Sequence, residues 1–497
     1  MGRSGTYNRK RQSMVTKLNV KYHILLPLLL VLSVFLFFMP TAWFGINGLT
    51  VIQQRTIAIF VFAALMWIVE AVPAWATSIV TMVLLIFTVS NGAFSALLTP
   101  LEGGGYAQGS AVGYKDLMAA FASPTIMLFM GGFVLAIAAT KVGLDVVLAR
   151  LLLRPFGTNP KAVLLGILFV VALFSMFMSN TATAAMMLAF LAPVLKKLPA
   201  DGKGRIGMAL AIPVGANIGG IGTPIGTPPN VIALGYLKDT MGIEVGFGDW
   251  CLRMVPFVIV LLFIAWGVLL FFFPFKAKTV ELKISDNVKK DYKFWVVAVT
   301  FVITIALWLI PEKITNLNSY EVALIPFAVF VSTGVFSKKD FSEINWDVLW
   351  MVAGGLALGT ALMKTGLAST LVNAIPFGAM PALAVLIVSG VVGYLISNFL
   401  SHTSAANLLL PILAAIALGA AGTPMGESLE HLGGVQALLI GLAISTSVAM
   451  ILPISTPPNA IASSTGLVQT KHMAMVGITM GIVGLILGYA VLIFIGF

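Results

Sequence analysis

Long apolar blocks, broken by short polar or glycine-rich stretches, run along almost the whole chain. Stretches such as 24–43, 56–72, 256–275 and 474–497 are long enough to cross about 30 Å of hydrocarbon as helices. The pattern predicts membrane segments at 24–43, 55–72, 74–90, 124–150, 206–237, 250–273, 293–310, 320–336, 346–370, 434–466 and 473–496. Two more apolar regions, 161–198 and 376–420, are each too long for one crossing and carry a polar Ser-Xaa-Thr cluster at their middle. A hairpin that enters and leaves on one side fits each of them. The predicted class is an all-α polytopic membrane protein with about 11 transmembrane helices and two re-entrant hairpins.

Composition agrees: 59% of the 497 residues are hydrophobic and only 9% are charged, with a mean hydropathy of +1.03. A soluble domain carries roughly a quarter charged residues. The single Cys251 excludes an intramolecular disulfide framework and a multi-cysteine metal site, and it reads as a small apolar filler. A net charge of +11 raises the question of nucleic acid, but the basic residues sit in short loops between apolar segments. With the N-terminus inside, the clusters at 3–21, 150–161, 196–205, 276–293, 338–339 and 471 place 22 of the 29 basic residues on one side. That predicts a multi-pass protein of the cell (inner or plasma) membrane, N-terminus cytoplasmic and C-terminus outside. The first apolar core ends in the bulky stretch Phe38 to Trp43, so it reads as an uncleaved span.

The two halves repeat one another. Gly131-Gly132 recur as Gly354-Gly355, and Lys141 and Gly143 recur as Lys364 and Gly366. Ser179-Asn180-Thr181 recurs as Ser401-His402-Thr403, and Thr227-Pro228-Pro229-Asn230 as Thr456-Pro457-Pro458-Asn459. The expected organisation is a tail and first helix at 1–51, a first repeat at 52–275 with hairpin 161–198, a cytoplasmic linker at 276–292, and a second repeat at 293–497 with hairpin 376–420. Each repeat holds an odd number of crossings, so the copies have opposite topology, the inverted repeat of secondary transporters.

Helix-breaking sequence at membrane depth is tolerated only around a buried site or a wet cavity. Gly219 to Asn230 and Leu452 to Asn459 are such breaks, since adjacent prolines interrupt a helix. Freed carbonyls can hold a cation, and a new helix N-terminus offers amides to an anion. The hydroxyl and amide groups of Ser-Asn-Thr at a hairpin tip can serve either. Small polar residues also pack membrane helices, but two pairs of clusters in register with a repeat favour a site over packing.

Ser179-Asn180-Thr181-Ala182-Thr183-Ala184-Ala185, both Thr-Pro-Pro-Asn segments and Trp67-Ile68-Val69-Glu70-Ala71-Val72-Pro73 resemble the divalent anion/sodium symporter family of INDY-type di- and tricarboxylate transporters. The resemblance covers nearly the whole chain. It implies a homodimer with a rigid scaffold domain and a transport domain that moves as an elevator. It puts substrate contacts on Ser179, Asn180, Thr181, Ser401, Thr403, Thr456 and Pro457. It puts a first sodium ion at Ser175, Ser179, Asn180 and carbonyls around Gly226. A second would use Ser397, the carbonyls of Leu400 and Ser455, and position 402.

At position 402 the family carries Asn and this chain carries His402. Imidazole is a poor sodium ligand, and in its protonated form it repels a cation and attracts a dicarboxylate. His402 therefore joins the substrate-binding candidates, and exchange of dicarboxylates with weak or no sodium coupling is the favoured reading. The alternative keeps the first sodium site working, leaves His402 as a packing residue, and gives a sodium-coupled symporter. Sodium is the one ion implied, and no other cofactor.

An embedded enzyme is a distant alternative, because the only histidines are His23, His402, His431 and His472 and no acidic pair lies at membrane depth. A channel fits less well than a carrier, since paired hairpins with broken helices favour alternating access. Glu70 and Lys141 are functional candidates, because intramembrane charge is costly, with a helix end that reaches the interface as the alternative; Lys364 is expected to cap a helix on the outer side. The loop at 91–118 is expected outside, flexible and without chemistry.

Overall fold

The computed structural model describes residues 24–199, 202–280, 288–374 and 381–497. Those residues form helices and connecting turns, with no strand among them beyond two isolated bridges, Ser90 with Val112 and Pro100 with Tyr106. The basic group from Arg3 to Lys21, His23, Lys283 and positions 376–380 lie outside the described residues.

Every predicted segment holds an apolar helix. Among the described residues nine helices are long and apolar enough to cross a membrane. Four shorter apolar ones, Leu26–Phe38, Ala74–Thr88, Ser319–Ser332 and Ala382–Ser397, stand beside them. Burial separates their roles. The most apolar stretch of Tyr292–Leu309 is 28% buried, so its face is left for lipid, whereas that of Gly204–Gly222 is 89% buried. The glycine-rich helix is thus the centre of the molecule.

The predicted spans at 124–150 and 346–370 are each two helices. Pro124–Val142 ends at Gly143 (φ 75°) and Leu144–Leu153 follows; Trp346–Lys364 ends before Gly366 (φ 73°) and Leu367–Ala374 follows. A left-handed residue closes a helix, and only glycine adopts it without a steric penalty. The repeated Lys-Xaa-Gly is therefore a pair of helix ends, with Lys141 and Lys364 in the last turns where a cation meets the negative end of the dipole. Glu70 likewise ends a helix, as the left-handed C-cap of Val51–Val69.

Both lysines reach across to the other half. Lys141 Nζ donates to Asp340 Oδ2 at 2.6 Å and to the Val335 carbonyl at 2.8 Å. Lys364 Nζ donates to Asp116 Oδ2 at 2.6 Å. Asp116 lies in the short helix Tyr114–Ala119, so the 91–118 loop differs from expectation: it is pinned by its two bridges and supplies an ion pair.

Burial would raise the Asp340 carboxyl, but hydrogen bonds from Lys141 Nζ and from the Ser337 hydroxyl and amide hold it down to about 2. A depressed carboxyl contributes stability above the ordinary carboxylate range and loses it as pH falls toward the folded value. Asp340→Asn is expected to cost about 1–3 kcal/mol of stability at neutral pH. The gap from wild type should close as pH falls from about 4 toward 2, read by thermal unfolding in detergent. A gap that persists unchanged to the acid end would refute the ion-pair account.

Candidate transport site

Each half places a broken helix against a helical hairpin. In the first, Gly204–Gly219 runs into a tight turn at Gly220–Gly222, and a new helix, Pro228–Gly235, starts after Thr227. In the second, Gly434–Ser447 stops and Pro457–Ser464 starts after Thr456. The prolines are the first residues of the new helices, where a missing amide costs nothing. The threonines are their N-caps, in extended conformation. Thr456 Oγ1 accepts from Asn459 N at 3.2 Å.

An asparagine closes each break. Asn230 Nδ2 donates to the carbonyls of Gly220 at 3.1 Å and Thr223 at 2.9 Å. Asn459 Nδ2 donates to those of Met450 and Leu452, both at 2.9 Å. These four contacts satisfy carbonyls that the interrupted helices leave open.

The hairpins are Pro160–Phe177 with Asn180–Lys197, and Ala382–Ser397 with His402–Ala420. Ser179 and Ser401 are the N-caps of the second arms, each accepting from the amide three residues on, Ala182 N at 3.2 Å and Ser404 N at 3.1 Å. Both clusters at the middles of the long apolar regions are thus helix starts at the hairpin tips, with amides aimed outward.

The first tip meets the first break. Ser175 Oγ lies 2.5 Å from Asn180 Oδ1 and 2.8 Å from the Ala216 carbonyl. Thr223 Oγ1 donates to the Met176 carbonyl. Gly220 and Gly226 touch: a Cβ on Gly220 would stand 3.0 Å from both the Gly226 carbonyl and Asn180 Oδ1. Of the residues expected at a first sodium site, Ser175, Asn180 and Gly226 come together, joined by Gly220, which sequence reasoning missed. Ser179 turns its hydroxyl to its own helix start. The cluster consists of neutral hydroxyl, amide and carbonyl oxygens, the donor set of a hard cation.

The second tip meets the second break with different chemistry. Ser397 Oγ donates to the Thr446 carbonyl at 3.0 Å. Ser455 Oγ donates to the Asn398 carbonyl at 3.0 Å, and Asn398 Oδ1 accepts from Ile451 N at 2.8 Å. Leu400 lies in the turn itself. His402 is buried, with Nε2 2.7 Å from the Ala449 carbonyl. A carbonyl only accepts, so Nε2 carries the proton. By repeat spacing Ala449 corresponds to Gly220, so an N–H donor occupies the carbonyl whose counterpart borders the oxygen cluster.

The arms differ in exposure. On Asn180–Lys197 the face of Thr181, Ala182, Ala185 and Ala189 is exposed, as is Pro457 nearby. On His402–Ala420 the corresponding Ser404, Asn407 and Pro411 are buried, and Asn407 Nδ2 donates to the Met351 carbonyl of Trp346–Lys364 at 3.3 Å. The start of the second arm is therefore packed inside the molecule, and that of the first lies at its surface.

Residues 20–496 match the family model described as the sodium:sulfate symporter transmembrane region. The chain belongs to the divalent anion/sodium symporter family. It is a membrane transporter, not an enzyme. Among its symporter relatives is the sodium-dependent dicarboxylate transporter SdcS of Staphylococcus saprophyticus, 29% identical over 94% of this chain and 90% of that protein. An uncharacterised transporter of Haemophilus influenzae is 32% identical over 86% of this chain and 88% of its own length. The solved YdaH transporter of Alcanivorax borkumensis shares the fold, with a TM-score of 0.50 at 16% identity over 77% of this chain and 88% of that one. The symporter motifs singled out in the sequence are the N-caps and break-closing asparagines described above. Asn217 and Asn398, which join tip to break and half to half, carried no local signal beyond an amide inside an apolar helix or turn.

Proposed function

We propose that this transporter carries dicarboxylates of the succinate, malate and 2-oxoglutarate class, and that it works as an exchanger with weak or no sodium coupling. The dicarboxylate class rests on the SdcS relatives and on two hairpin tips, each with a capped helix start suited to one carboxylate. The substrate contacts would be Ser179, Asn180, Thr181, Ser401, His402, Thr403, Thr456 and Pro457. Exchange rests on one observation, the His402 Nε2–H bound to the Ala449 carbonyl. A positive charge fixed on His402, unlike a cation that leaves with the substrate, stays in the empty site, so return of the empty carrier is costly and return loaded with a second dicarboxylate is favoured.

The reading extends to the whole molecule: a homodimer of inverted repeats whose hairpins and broken helices move as an elevator against a scaffold. With the N-terminus cytoplasmic, the exposed first-hairpin face opens the site inward. Sodium-coupled di- or tricarboxylate symport is the second reading. The oxygen cluster of the first half and the sodium-dependent names of the relatives favour it.

Uptake of labelled succinate, malate and 2-oxoglutarate into proteoliposomes separates the two. Uptake only into vesicles preloaded with unlabelled dicarboxylate, indifferent to a sodium gradient, is the expected result. Sodium-driven uptake into empty vesicles would sink the exchanger and leave the symporter.

A further inference from the structure

The amide of Asn217 connects the two halves at the hydroxyl of Thr456, proposed above as a substrate contact. Asn217 is buried in Gly204–Gly219, and its Nδ2 donates to both Thr456 Oγ1 and Asn459 Oδ1 at 3.3 Å. The orientation of this amide is forced. Asn459 Nδ2 is committed to the carbonyls of Met450 and Leu452, so Asn459 Oδ1 must face Asn217. Two amide oxygens repel, so Asn217 presents its NH2 group there, and the same nitrogen reaches Thr456.

Thr456 Oγ1 thereby accepts twice, from Asn217 Nδ2 and from Asn459 N. A hydroxyl has two acceptor lone pairs and one proton. With both lone pairs engaged, it has only its proton to offer. The orientation has a cost: Asn217 Oδ1 is buried with no hydrogen-bond partner. A native side chain that leaves such a group unpaired calls for an explanation other than stability. The first half has no such relay. Thr227 makes no side-chain capping bond, and the position matching Asn217 is Thr446, whose hydroxyl turns to the Ala443 carbonyl.

We propose that Asn217 is a positioning residue for the anion: through it the break of one half fixes the Thr456 hydroxyl of the other as an obligate donor to a substrate carboxylate. This rests on the proposed reading that Thr456 contacts substrate. An acceptor-only carboxylate is matched by such a donor, and a neutral ligand that must itself donate is not.

The test is the kinetics of labelled dicarboxylate transport in proteoliposomes for wild type, Asn217→Ala, Thr456→Ala and the double variant. Thermal unfolding of each is measured alongside. KM is expected to rise about tenfold for Asn217→Ala, with the maximal rate little changed. The double variant should be no worse than Thr456→Ala alone. The isosteric Asn217→Asp keeps the packing but removes the donor, so Thr456 turns its proton inward; KM should rise further, and this variant serves if the alanine does not fold. A raised KM for Thr456→Ala with an unchanged KM for both Asn217 variants overturns the inference and spares the site reading. Additive effects, or lost stability and rate at constant KM, also overturn it, as the marks of a purely structural amide. An unchanged KM for Thr456→Ala overturns the site reading itself and the inference with it.

Discussion

Replacing Gly226 with alanine is expected to lower transport about 100-fold or more while the protein still inserts and purifies as a folded species. The added Cβ would lie 2.5 Å from the Gly220 carbonyl oxygen and 2.9 Å from Gly220 Cα. Both are backbone atoms, so no side chain can swing aside. The two edges of the first break must separate, and Gly220 is also held by Asn230 and bordered by Asn180. Separation therefore displaces Asn180, a proposed substrate contact, and spreads the oxygen cluster around it, while the lipid-facing helices feel nothing. Uptake assays paired with size-exclusion profiles check both halves of the expectation. Near-normal uptake by Gly226→Ala would show that close contact between the edges of this break is not needed for transport.

The second large effect concerns coupling. His402→Asn is expected to make uptake depend on sodium. The shorter amide cannot reach the Ala449 carbonyl as the imidazole does at 2.7 Å, so that oxygen is freed and an amide oxygen is added beside it. An ion held by such oxygens gains about 1.5–3 kcal/mol per charge-assisted contact, or about ten- to a hundredfold in affinity. Sodium stimulation of uptake into empty vesicles should rise by about that factor, and the need for internal dicarboxylate should relax. If His402→Asn keeps strict exchange and stays indifferent to sodium, the coupling is decided elsewhere, and His402 serves packing.

The sequence carried the membrane class, every apolar segment, both hairpins and both breaks, because each depends on local patterning. Prolines after a threonine mark a helix start whatever surrounds it, and a serine capping a helix is readable three residues away. What it did not carry was the wiring. Asn217 meets Thr456 across 239 positions, and Lys141 meets Asp340 across 199. Neither partner announces the other. The spans at 124–150 and 346–370 ran too long for a related reason: the short helices after Gly143 and Gly366 are apolar enough to extend the crossings, so hydropathy alone joined them. The glycines were in view as a repeat, but their left-handed backbone, which makes the corner, is a three-dimensional fact.

The two ion pairs carry a further meaning. Lys141 belongs to the first half and meets Asp340 of the second; Lys364 belongs to the second and meets Asp116 of the first. That reciprocity, in which each partner offers the other the contact it receives, is how the subunits of a two-fold dimer recognise one another. The halves of this chain meet as two such subunits would if their ends had been joined, and neither half holds a complete set of contacts without the other.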